Sequence, residues 1–262
     1  MLRVGVFDSG LGGLSTWLAC ARLLPEAEYF FFADTAHAPY GDRSADEVHQ
    51  LTEAAYQHFS ALGVDALVIA CNTATSAAVA PLRQQAAMPV IGIEPAIKQA
   101  LAASPGEVLL LATELTVRGE KLARLRREWD TEQRVRPLAC SGLMEIVESQ
   151  AADWRQQAAA YWQHHVAPGL GASQAIVLGC THYCWLRDEI RTWSGGLPIF
   201  DGNDGVARQL YRLLHRQEPG SPGVLPGELV LRLRASAAAT EKRAAARQLL
   251  RGSGAEVEVL PY

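Results

Sequence analysis

"VIACNTATSAA", residues 68 to 78, sets the fold. An apolar run ends at Cys71, small polar residues follow, and a helix-like segment comes next. That order reads as a buried strand turning directly into a helix, the unit from which parallel sheets are assembled. A second stretch, "IVLGCTHYCWL" from Ile176 to Leu186, has the same design around Cys180. Ligands of such sheets sit beyond the carboxyl ends of the strands. Both cysteines fall there.

Outward from these two stretches, short apolar runs alternate with helical patterns. "RVGVF" (Arg3 to Phe7), "EYFFFA" (Glu28 to Ala33), "ALVIA" (Ala66 to Ala70) and "PVIGI" (Pro89 to Ile93) read as buried strands. So do "VLLLA" (Val108 to Ala112), "AIVLG" (Ala175 to Gly179) and "LPIF" (Leu197 to Phe200). Asp46 to Leu62 and Leu115 to Trp129 have helical periodicity. The expected fold class is α/β: two pseudo-symmetric α/β domains with mostly parallel sheets and the active site in the interdomain cleft. Residues 1–95 plus 205–262 form the first domain, with Asp8 and Cys71. Residues 96–204 form the second, with Glu148, Cys180 and His182. The tail reads as a last unit: "ELVLRLR" from Glu228, a helix near Thr240 to Leu250, and "EVEVL" from Glu256. "QEPGSPGVLPG" (Gln217 to Gly227) reads as a loop.

The 262 residues are 49% hydrophobic and 20% charged, enough for one large or two modest globular domains. A net charge of −4 gives no basic surface for nucleic acid. No run approaches the roughly 20 apolar residues of a membrane span. A strand-like run at Arg3 leaves no room for a signal peptide, so the expected location is cytoplasmic. Five cysteines (Cys20, Cys71, Cys140, Cys180, Cys184) then read as reduced thiols. Lysine occurs only at Lys98, Lys121 and Lys242, which leaves few candidates for a Schiff base.

"FDSGLGG" (Phe7 to Gly13) follows the first strand. Its glycines permit close backbone approach, and Asp8 places a carboxylate at the strand end, suited to an ammonium group or a neighbouring acid. A free thiol of pKa ~8.5 is only slightly ionised at neutral pH. Lowering it to about 7 needs roughly 2 kcal/mol. Helix N-termini, Asn72 and Thr73, Thr181 and His182 are the groups expected to supply it. "CTHYC" also joins Cys180, His182 and Cys184, the residue types of a zinc site. A structural zinc site normally draws its ligands from two spaced pairs, and here there is one cluster, so no metal is expected. Glu148 in "LMEIVES" reads on its own as a solvated helix residue. "ADTAHAPYG" (Ala33 to Gly41) presents Tyr40 and Gly41 in a fixed turn, and "ATELTVRG" puts Thr113 and Thr116 just past a strand.

Taken together, "GVFDSGLGGLS", "ADTAHAPYG", "ACNTAT", "GIEPAIK", "ATELTV", "LACSGLMEIVES" and "LGCTHY" resemble the glutamate racemase branch of the cofactor-independent Asp/Glu racemase superfamily. The resemblance runs through nearly the whole chain. Aspartate racemases usually have a glutamate where His182 stands, which favours the glutamate branch. The resemblance implies inversion at the α-carbon by two bases without any cofactor, with Cys71 acting on D-glutamate and Cys180 on L-glutamate. Asp8, His182 and Glu148 would assist the two sulfurs. Asp8, Ser9, Tyr40, Gly41, Asn72, Thr73, Thr75, Thr113, Thr116, Thr181 and His182 would line the substrate site. It further implies a homodimer, a small-molecule substrate, and D-glutamate supply for peptidoglycan.

Three positions depart from the family pattern: Cys184 stands where proline is usual, and Ala112 and Gly119 replace glycine and serine. An N-terminal extension associated in some relatives with activation by a cell-wall precursor is absent, so activity without that activator is expected. Two other readings compete. One is a one-thiol decarboxylase or a racemase of another amino acid, separable by a substrate panel. The other is a non-catalytic zinc- or anion-binding protein, separable by metal content.

Overall fold

The computed structural model describes residues 1–220, 228–251, 253 and 256–261. In the first half, strands β1 (Arg3–Asp8), β2 (Glu28–Ala33), β3 (Ala66–Ile69) and β4 (Val90–Gly92) alternate with helices α1 (Leu14–Leu23), α2 (Ala45–Leu62) and α3 (Asn72–Gln85). Helix α4 (Ile97–Ala103) leads to β5 (Glu107–Ala112), α5 (Glu114–Arg118), α6 (Glu120–Trp129), β6 (Val135–Ala139), α7 (Ser141–Ser149) and α8 (Trp154–Tyr161). Strand β7 (Ser173–Leu178), α9 (Arg187–Trp193), β8 (Ile199–Asp201) and α10 (Asn203–His215) follow. The chain closes with β9 (Glu228–Ala235), α11 (Ala239–Leu250) and β10 (Glu256–Leu260). Of the expected loop from Gln217 to Gly227, residues 217–220 lack regular structure and 221–227 lie outside the described residues.

The strands form two sheets, ordered β10-β9-β2-β1-β3-β4 and β6-β5-β7-β8. Every pairing is parallel. Helices cover the sheets, so the central strands are buried and read as continuous apolar runs rather than alternating ones. The order β2-β1-β3-β4 recurs as β6-β5-β7-β8, which is the expected internal repeat. In each copy the chain reverses direction across the sheet beside the first strand. The crevice at such a switch point is where a ligand sits. Cys71 follows β3 as Cys180 follows β7, and Asp8 ends β1 as Thr113 follows β5.

Two differences from the sequence reading have physical causes. Strand β6 is not evident in the sequence because Arg136 and Pro137 interrupt its apolar character. It lies at a sheet edge, where a residue without an N–H is tolerated. The single helix expected over Leu115 to Trp129 is broken at Gly119, whose backbone is extended (φ −70°, ψ 142°). A Cβ there would come within 2.4 Å of Ser76 Oγ, so α3 packs directly on this break.

The tail unit extends the first sheet. Leu231 and Leu233 of β9 and Ala246 and Leu250 of α11 join the core around Trp17, Phe31 and Val68. Helix α10 returns to the same core through Val206, Ala207 and Leu210. The second sheet has its own core around Leu109, Trp162 and Ile176. Between the sheets the chain passes near Pro95 and again near Gly202, where a Cβ on Gly202 would meet the Glu94 carbonyl oxygen at 2.3 Å. Backbone cannot yield there as a flexible side chain could. Gly202→Ala should therefore destabilise the protein by about 1–3 kcal/mol, read as a lower urea midpoint with an unchanged slope.

Candidate active site

The carboxyl ends of β1, β3, β5 and β7 face a small cavity. Asp8, Ser9, Tyr40, Gly41, Cys71, Asn72, Thr73, Thr113, Cys180, Thr181 and His182 line it, as does Met144. Eleven of these are residues the sequence nominates. Met144 is not, because an apolar residue on an amphipathic helix carries no signal beyond core packing. Glu148, Thr75 and Thr116 stand behind the wall. Thr75 donates its hydroxyl to the Ile69 carbonyl (3.2 Å), and Thr116 accepts from Thr113 (3.0 Å). Thr73 and Thr113, from opposite sheets, meet at 2.9 Å.

Cys71 is the N-cap of α3, and its sulfur accepts the Ala74 N–H at 3.4 Å. Ser9 Oγ lies 3.6 Å from the same sulfur. Burial nevertheless pushes the Cys71 thiol up to about 11, with the Asp8 carboxylate adding to the rise and the Ala74 and Ser9 bonds opposing it. Burial also pushes Cys180 well above its ordinary value; the His182 backbone N–H opposes this, while Cys71 and Asp8 add to it. The sequence expectation of thiols lowered toward neutrality therefore fails in this closed cavity. Taking the sulfurs out of water outweighs the helix N-terminus and hydroxyl neighbours. Ionising Cys71 near neutral pH takes roughly 5 kcal/mol, which a bound cation or a proton-accepting neighbour must offset.

Each thiol has a titratable group acting on it. Asp8 Oδ2 accepts the Gly13 N–H at 2.8 Å, while Oδ1 is buried with no partner among the described residues. Burial raises the Asp8 pKa, against the lowering effects of His182 and the Gly13 N–H. Beside the other thiol, His182 Nδ1 lies 3.7 Å from Cys180 Sγ. His182 Nε2 donates to Glu148 Oε2 at 2.8 Å, which leaves Nδ1 as the nitrogen facing the sulfur.

Glu148 is not the solvated helix residue that its sequence context suggests. Its side chain is 12% exposed, and Oε2 also accepts the Leu11 N–H at 2.8 Å. Burial alone would raise its pKa. The hydrogen bond and charge of His182, then Lys242 and the Leu11 N–H, outweigh that and hold it at about 2. Burial likewise works to lower His182, but the Glu148 hydrogen bond and charge, with Asp8, raise it overall.

Cys184 is half-buried; its sulfur accepts from Asn203 Nδ2 at 3.6 Å and does not line the cavity. Among the described residues no group of three or more His, Cys, Asp or Glu side chains is arranged to hold a metal ion. Nor is any described helix long and apolar enough to cross a membrane.

A buried cavity walled by acids and bases at the mouths of two parallel sheets is that of an α/β enzyme acting on a small molecule. The chain belongs to the Asp/Glu/Hydantoin racemase family, whose model matches residues 18–210. It is 38% identical over 234 residues to a glutamate racemase from Halothermothrix orenii, covering 87% of this chain and 91% of that protein. Against a glutamate racemase from Herpetosiphon aurantiacus the identity is 40% over 232 residues, covering 86% and 90%. Among solved structures, a glutamate racemase isoform from Bacillus anthracis superposes with a TM-score of 0.81 at 26% identity, covering 99% of this chain and 97% of that one. The Escherichia coli glutamate racemase, solved with L-glutamate and the activator UDP-MurNAc-Ala, gives 0.76 at 26% identity with the same coverage.

The ion pair behind Cys180 leaves a mark on stability. Glu148, held at about 2 against 4.5 when exposed, contributes stability present above pH 4.5 and lost as pH falls through about 2. His182, raised above 6.5, contributes stability present below pH 6.5 and lost as pH rises through its folded value. Glu148→Gln should thus be most destabilising, relative to the parent, between pH 4.5 and 6.5. Urea unfolding at about pH 3, 5.5 and 8 checks this, with the smaller differences at the two ends.

Proposed function

We propose that this chain interconverts L- and D-glutamate, with Cys71 and Cys180 as the two bases and no cofactor in the reaction. The observation that carries this reading is that two thiols from equivalent strand positions line one cavity, with Asp8 in the same wall and His182 Nδ1 3.7 Å from Cys180 Sγ. Glutamate as substrate follows from the relatives, at 36–40% identity over most of the chain.

In the D-to-L direction Cys71, as thiolate, takes the α-proton. The C–H electron pair is left on the α-carbon and delocalises into the carboxylate. Cys180 then gives its proton to the opposite face and ends as thiolate. Asp8 beside Cys71 and His182 beside Cys180 take and return the protons that reset the sulfurs. The L-to-D direction reverses each step. The Oδ1 atoms of Asp8 and Asn72, buried without a hydrogen-bond partner among the described residues, suit the substrate ammonium, whose charge also favours the thiolates. The N-terminus of α3, with Thr73, Thr113 and Thr181, suits its carboxylates. General acid–base transfer typically supplies about 10²–10⁴-fold. The rest of the acceleration is assigned to exclusion of water and to fixed dipoles aimed at the developing carbanion.

The same reading assigns residues 1–95 plus 205–262 to one domain and 96–204 to the other. The return of α10 to the first core supports that division. It also takes the enzyme to be a cytoplasmic homodimer whose product feeds peptidoglycan.

Enantiomers have equal free energy, so kcat/KM must be the same from either side at every pH. Cys71→Ala or Cys180→Ala should lower kcat/KM for both enantiomers alike, by about 10³-fold or more. Incubation of the parent with either pure enantiomer in D₂O should erase optical rotation while deuterium enters the α-carbon. Inversion that persists in both single variants defeats the two-thiol assignment.

A further inference from the structure

Lys242 is one of three lysines, and the other two are engaged elsewhere: Lys98 stacks on Trp129 at 4.0 Å and Lys121 pairs with Glu94. Its ammonium donates to Glu148 Oε1 and also approaches the Glu148 carbonyl at 3.5 Å. The lysine side chain is 19% exposed and the carboxylate 12%, so this is not the solvated surface pair whose contribution is near zero. Lys242 sits in the first turn of α11, whose Ala246 and Leu250 are fixed in the core of the first sheet. The link from β9 to α11 is tied down as well. Ser236 Oγ accepts the Ala36 N–H at 2.8 Å, and Thr35 Oγ1 donates to the Ala237 carbonyl at 2.9 Å. Glu148 belongs to α7, on the second sheet. The pair therefore crosses from one sheet's layer to the other's. Residue 242 also lies beyond residues 18–210, so the family match is silent on it.

We propose that Lys242 is a positioning residue for the racemisation, presented by α11 to hold the Glu148 carboxylate against His182 across the boundary between the two sheets. The carboxylate has two oxygens and three donors around it. Lys242 occupies Oε1, which leaves Oε2 to the Leu11 N–H and His182 Nε2. With the ammonium removed, the carboxylate is free to turn and offer His182 a different geometry. The charge acts too. The groups acting on His182 are Glu148 from α7, Asp8 from β1 and Lys242 from α11, with Cys180 Sγ 3.7 Å from its Nδ1. Among these Lys242 alone carries positive charge, so it opposes protonation of His182.

This inference rests on the two-thiol reading, in which His182 must be free of its extra proton to accept that of Cys180. Neutralising Lys242 then makes His182 hold a proton to higher pH. The test compares Lys242→Gln, which keeps a donor without the charge, and Lys242→Arg, which keeps both, in the full chain. In Lys242→Gln, kcat/KM should fall about tenfold, equally for both enantiomers, with the acid limb of its pH profile moved upward. Lys242→Arg should restore the limb. Histidine NMR, with His182 assigned from a His182→Asn variant, should show the imidazole titrating higher in Lys242→Gln than in the parent. A parent profile retained in Lys242→Gln, or a uniform loss of activity without a displaced limb, overturns the proposal. So does an unmoved His182 titration. The NMR arm needs no turnover, so it judges Lys242 even if the parent fails to racemise glutamate, a result that would sink the earlier reading instead.

Discussion

The carboxyl ends of four strands converge on one small cavity, and every polar group that works there is thereby taken out of water. That desolvation governs the chemistry. It favours the protonated form of both sulfurs and raises the Asp8 carboxyl. A solvated site with the same residues would ionise its thiols more readily, yet would quench a carbanion with water. In the two-thiol reading proposed above, the closed arrangement makes the reactive form conditional on a bound cation and on a neighbour ready to take a proton.

The two neighbours are unlike. Asp8 is a carboxylate raised by burial, with His182 and the backbone N–H groups of Gly13 and Gly10 opposing the rise. His182 is a base raised by a carboxylate that is itself held down by donors from three segments. Glu148 thus sits at the junction of the glycine-rich loop after β1, the segment after β7, and α11. A change in any of these reaches Cys180 through one imidazole. The threonine contact at the other edge of the cavity, Thr73 to Thr113, is neutral and carries no such electrostatic consequence.

Much of this is legible in the sequence because buried parallel strands are uniformly apolar and because the chain repeats one motif. "ALVIA" before Cys71 and "AIVLG" before Cys180 place both thiols without further information. The hidden parts share a cause. Glu148 looks solvated because its partners are distant in sequence: Leu11 lies 137 positions before it and the Lys242 ammonium comes from 94 positions after it. Local periodicity cannot register contacts of that range. Strand β6 is hidden because Arg136 and Pro137 suit an edge and spoil the apolar run. The thiol pKa values escape the sequence for a different reason. Residue types name the hydrogen-bond donors near a sulfur, but only the packed cavity reveals how much water is missing.

The repeated strand order has a geometric consequence. A chain of L-amino acids cannot fold into the mirror image of its own site, so it cannot offer one enantiomer the reflection of what it offers the other. Rotation is the operation available to it, and two copies of a sheet set the two sulfurs at equivalent strand ends around one cavity. What rotation cannot reproduce is the handed surroundings of each sulfur. The aspartate behind one thiol and the imidazole behind the other are the trace of that mismatch.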